Sequence, residues 1–147
     1  MSRELAVLLT ATTGGLVALQ APINSGLARA VGSWQAAFFS FAVGTLTLAL
    51  IAALAKGGLG QLANARDVGW VYLTGGLLGA AYISTVLVTV RSLGVAGIVA
   101  ATIAAQLAIG VVIDRFGLLG VERQPVTAAR VAGVALLAAG VYLVVRR

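Results

Sequence analysis

The chain contains no cysteine and no histidine. Those two absences remove disulfides, thiol nucleophiles, imidazole acid–base chemistry and most transition-metal sites together. Carboxylates are scarce as well, with Glu4, Asp67, Asp114 and Glu122 as the whole set. Each lies at or beyond the end of a hydrophobic run, and no two share a helix face within one. Paired-carboxylate catalysis therefore has no seat, and we expect neither an enzyme nor a cofactor or metal. Charge of either sign is thin: 10% of the 147 residues are charged, against about 25% in a soluble domain. Hydrophobic residues make up 61% of the sequence, and the mean hydropathy is +1.07. This is the composition of an integral membrane protein.

The formal charge of +6 and the pI of about 11.2 would suggest nucleic-acid binding in a soluble chain. Here the basic residues are scattered singly at the ends of hydrophobic runs and form no patch, so nucleic acid is not an expected partner. Membrane-interface anchoring and topology setting explain them better.

Five hydrophobic segments follow one another, at about 5–28, 33–55, 68–90, 93–113 and 126–145. Each approaches the roughly 20 residues that a spanning helix needs. The first begins behind Arg3 and could pass for a signal peptide cleaved after Ala21. Pro22 would then follow the cut, and the rest of the chain is equally apolar, so we read it as a retained span. The last contains Arg130 one turn inside, a position from which arginine snorkels to the headgroups. Ser33 is a plausible N-cap for the second helix, and Pro125 fits the first turn of the fifth. The expected fold is thus all-α, a single transmembrane domain over residues 1–147 with five spans.

One stretch, residues 18–24, concentrates the polarity of the first span. No charge occurs from Leu5 to Ala28, yet Gln20, Pro22 and Asn24 lie within it. Pro22 has no N–H for the Ala18 carbonyl, and its ring crowds that group, so a kink is expected. Gln20 and Asn24 are at i and i+4, on one helix face. An amide in hydrocarbon without a partner costs several kcal/mol, so that face must meet another helix or a wet cavity. Two readings stay open, interhelical hydrogen bonding and the polar wall of a substrate pathway. Gln106, the only amide in the fourth span, is expected to face the same space, with Tyr82 and Ser40 as further contributors. Small residues at packing spacing mark the close helix faces: Gly44 on the second helix, Gly75 and Gly79 on the third, Gly133 on the fifth.

An odd number of spans places the termini on opposite sides. One side then carries Arg3, Lys56, Arg66, Arg115, Arg123 and Arg130, and the other Arg29, Arg91, Arg146 and Arg147. That bias hardly selects an orientation under the positive-inside rule, and both orientations in one membrane are expected. Five helices are also few for an alternating-access site, which many transporters build from two inverted repeats. A second copy inserted the opposite way, or a paralogous five-helix subunit, would supply the other repeat. The expected assembly is an antiparallel ten-helix dimer.

The run from Gln20 to Leu27, followed by residues 36–45, resembles the opening of the small bacterial membrane proteins called the YdcZ or DUF606 family. Trp70 to Ala80 and Ala105 to Gly117 are similar to that family too, and the likeness covers nearly the whole chain. Its most specific pieces are the Gln-x-Pro-x-Asn element and the Asp114-Arg115-Phe116-Gly117 end of the fourth span. A proline expected before Leu93-Gly94 is replaced by Arg91-Ser92. The resemblance implies membership of the drug/metabolite transporter superfamily, whose members move small solutes across the bacterial inner membrane. Small multidrug-resistance relatives use a glutamate midway along the first helix. Here Gln20 lies lower and no carboxylate replaces it, so their proton-coupled cation export does not carry over. A transporter of a neutral or anionic solute is the leading expectation, with a structural or accessory subunit as the alternative. An ion channel has less support, since no charge ring or filter-like run is present.

Overall fold

The computed structural model describes residues 1–146. All regular structure among them is helical: α1 (Arg3–Val31), α2 (Ser33–Leu54), α3 (Gly75–Phe116) and α4 (Ala128–Val145), with short 3-10 turns at Gly58–Asp67, Trp70–Leu73 and Leu118–Gly120. The helical φ/ψ run of α3 is broken once, at Gly94 (φ 69°, ψ 170°), so five helical segments result. Only glycine adopts that backbone region cheaply, which is why the break falls there rather than at Arg91-Ser92. Its 42 residues would reach about 63 Å unbroken, twice a bilayer core of about 30 Å.

The chain divides into two compact units, Met1–Val90 and the part from Arg91 onward. In the first, α1 starts behind Ser2, whose hydroxyl accepts from the Leu5 N–H at 3.2 Å. It continues helically through Pro22 and ends at Gly32 (φ 93°), which turns the chain directly into α2. Gly32, not Ser33, thus stands before α2, and Ser33 is its first helical residue. Alanines make the α1–α2 approach close. Ala28, Ala36 and Ala37 are buried together with Ile83 and Leu87 of α3, and Ala36 is completely enclosed. Without a hydrophobic driving force between helices in lipid, such small contact residues let dispersion act over the largest area.

Most threonine hydroxyls inside the helices are spent locally. Thr10, Thr12 and Thr13 donate to the carbonyls of Ala6, Leu8 and Leu9, while Thr47, Thr85 and Thr89 do the same on α2 and α3. Such side chains become apolar from outside. The third run was expected as a span from Val68. The α-helix starts seven residues later, because the Val71 carbonyl accepts from both the Thr74 hydroxyl (2.7 Å) and the Thr74 N–H (3.2 Å), closing a 3-10 turn before it.

In the second unit, Gly97 is buried, and a Cβ there would come within 3.3 Å of the Leu93 side chain and 3.6 Å of Val145. Helix α4 opens at Thr127, whose hydroxyl accepts from the Arg130 N–H, so Pro125 lies before the cap rather than in the first turn. The connection 117–127 is folded back on the end of α3. The Gln124 N–H donates to the Asp114 carbonyl at 2.9 Å, and Arg123 Nε to the Phe116 carbonyl at 3.2 Å.

Candidate substrate face

Ala21, Asn24 and Ala28 recur at helical spacing along α1, and all three are buried. At ~100° per residue they cover one side of the helix, and Gln20 falls on its flank. The structure matches that geometry: Asn24 is only 6% exposed, whereas Gln20 is open. Asn24 Nδ2 donates to Ser40 Oγ at 3.2 Å, a side-chain bond that ties α1 to α2 across the alanine contact. Ser40 accepts in that bond, which leaves its own O–H as a donor. The pair thus presents a free hydroxyl donor and the Asn24 carbonyl in otherwise apolar surroundings.

The other expected site residues fall in different places. Tyr82 belongs to the same unit and is 38% exposed, with no hydrogen bond to the pair. Gln106 belongs to the second unit, where it is exposed in a shallow groove with Ala105, Ile109, Gly110 and Ile113 on its own helix. Neither Gln20 nor Gln106 makes a side-chain hydrogen bond among the described residues, so in a bilayer both amides require a partner that the single chain does not supply. Of the packing glycines, Gly79 has the Phe41 ring 3.3 Å from where a Cβ would stand; at Gly44, Gly75 and Gly133 a Cβ would meet nothing within 4 Å.

Two features were not foreseen. The snorkelling reading of Arg130 names no partner; in the structure its Nη1 donates to Asp114 Oδ2 at 3.0 Å, an ion pair with both side chains about one-third exposed. The pairing has no sequence periodicity, since it joins residues on two helices through a folded connection. The second is an open groove of about 560 Å³ between the start of α2 and α3, with Trp34, Leu77, Ser84 and Val88 on its walls. Ser84 alone among the groove's hydroxyls has no hydrogen bond to its own helix. A lone serine in an apolar run gives no sequence signal for this.

Among the described residues, four helices are long and apolar enough to cross a membrane, and large apolar side chains are exposed along all of them. In water that surface would be untenable; in lipid it is the ordinary exterior. The molecule is a multi-pass α-helical membrane protein. It belongs to the family described as "Putative inner membrane exporter, YdcZ", whose model matches residues 5–143. The inner membrane is therefore its location, and the family's role is that of a transporter rather than an enzyme. No curated protein and no solved structure matches the chain.

Proposed function

We propose that the chain is one transmembrane subunit of a secondary transporter that exports a small neutral or anionic solute by alternating access. In this reading Gln20, Asn24, Ser40, Tyr82 and Gln106 orient the solute, and the assembly is an antiparallel ten-helix pair of two copies or of this chain with a paralogous five-helix subunit. The observation that carries it is the Asn24–Ser40 bond, a polar pair at the α1–α2 contact with the open Gln20 one turn away. Amides and hydroxyls orient uncharged or anionic groups without a charged partner. The spans around the pair contain no charge that would favour a cation.

Because the chain has no cysteine, single substitutions Gln20→Cys, Asn24→Cys and Gln106→Cys report water access directly. A transport face should react with a membrane-impermeant thiol reagent from one side at a time, and bound solute should protect it. A dry contact, as in an accessory subunit whose polar face only docks a partner, should stay unreactive. Removing the groups gives the second test. Interhelical hydrogen bonds in membranes average ~0.6 kcal/mol, so Asn24→Ala or Ser40→Ala should cost assembly little. Leaving a bound solute's polar group unpaired costs about 1–3 kcal/mol, so affinity should fall roughly 5- to 150-fold. Affinity can be read by thermal shift with a solute found by the same method. Loss of assembly at unchanged affinity would assign the pair to packing.

A further inference from the structure

Between α2 and α3 the chain runs through residues 55–74 without α-helix, as two 3-10 turns joined by Val68 and Gly69. The flanking helices already account for the membrane. α2 has 22 residues, and 75–93 precede the break at Gly94; at ~1.5 Å per residue both lengths come close to a hydrocarbon core of ~30 Å. Both ends of the segment therefore emerge at one bilayer face. Its irregular backbone is barred from hydrocarbon, where unpaired peptide groups have no water. Yet its surface does not suit bulk water either. Trp70 is 76% exposed, Tyr72 62%, and Leu62, Val68, Val71 and Leu73 are exposed beside them. Lys56 and the Arg66-Asp67 pair precede the Val68–Leu73 cluster, and Trp70 stands only five residues before the first helical turn of α3.

We propose that residues 56–74 form an interfacial segment lying in the headgroup layer, with Trp70 and Tyr72 seated at the boundary with the acyl chains. That layer hydrates the 3-10 backbone and the charged groups while accepting the aromatic rings, for which tryptophan and tyrosine are enriched there. Its partner is the bilayer itself, reached by continuity with the two spans it joins. The segment anchors the start of α3 at a fixed depth, and this holds whatever the protein transports.

The chain has two tryptophans, so Trp34→Phe leaves Trp70 as the sole indole of the full-length protein. In phosphatidylcholine vesicles its emission should be blue-shifted from that of free tryptophan. It should also lose more intensity to lipids brominated just below the headgroup than to lipids brominated near the chain ends. Stronger quenching by the deep bromines would place Trp70 inside a span and overturn the assignment. Quenching by aqueous iodide alone would make the segment a solvated loop. Resistance to every quencher would mean that a protein, such as a second copy, covers it; both results defeat the proposal. Val71→Cys carrying a nitroxide gives the depth independently, through its relative accessibility to oxygen and to an aqueous nickel chelate, if Trp34→Phe disturbs folding.

Discussion

Asp114 and Arg130 hold each other at 3.0 Å at the point where α3 ends and α4 begins. An arginine costs about 2.5–3.5 kcal/mol at the bilayer centre and less toward a helix end. In the first turn of α4, Arg130 meets a carboxylate, so the last span enters the membrane with a paired charge. At one-third exposure the pair is worth on the order of 1 kcal/mol or less in direct attraction. Its larger effect is expected on insertion. Asp114→Asn should lower the fraction of chains whose last span is inserted, measured with a reporter fused at the C-terminus. Arg130→Gln alone should not lower it, and Asp114→Asn with Arg130→Gln should recover the wild-type fraction. Equal insertion in all three would show that Arg130 reaches the headgroups unaided.

At the scale of helices, the small residues separate into two kinds. Gly79 and Gly97 face neighbours within their own units, Phe41 for one and Leu93 with Val145 for the other. Gly44, Gly75 and Gly133 face open space in the single chain. Gly79→Leu should therefore lower the melting temperature of the solubilised protein, as overpacking costs typically 1–3 kcal/mol. Gly75→Leu and Gly133→Leu should leave that melting temperature unchanged within error. If these two glycines pack against a second subunit, the same variants should reduce the yield of cross-linked dimer. Unchanged cross-linking would leave them as lipid-facing positions. From sequence spacing the glycines looked alike. Only the neighbour across the helix face tells them apart, and periodicity carries no information about that neighbour.

For the molecule as a whole, orientation follows from charge at the span ends. The two loop sets differ by only a few basic residues, and the Asp114–Arg130 pair ties up one of them. Arg147, counted with the set that includes Arg146, lies outside the described residues. A reporter fused after the last residue should show a mixed population of orientations. Adding two or three lysines to one loop set should convert it to a single orientation, and if the exporter is an antiparallel homodimer, that locked form should lose activity. A C-terminus found on one side only would exclude the antiparallel homodimer and leave a paralogous partner or a parallel assembly.

The sequence by itself determined the class of this protein. Runs such as Leu5–Ala28 can be neither a soluble core nor a loop, because only a helix satisfies its own backbone in lipid. It also singled out the amides Gln20, Asn24 and Gln106, since a carboxamide in such a run stands out against its surroundings, whereas a lone serine such as Ser40 does not. What it did not contain was who meets whom. The Asn24–Ser40 bond, the Asp114–Arg130 pair and the late start of α3 behind Trp70–Leu73 depend on contacts between residues distant in the chain or on one local competition for the Val71 carbonyl. Transfer to lipid is a sum over residues, and a sequence displays it. Pairing is a matter of position in space, and only the folded chain decides it.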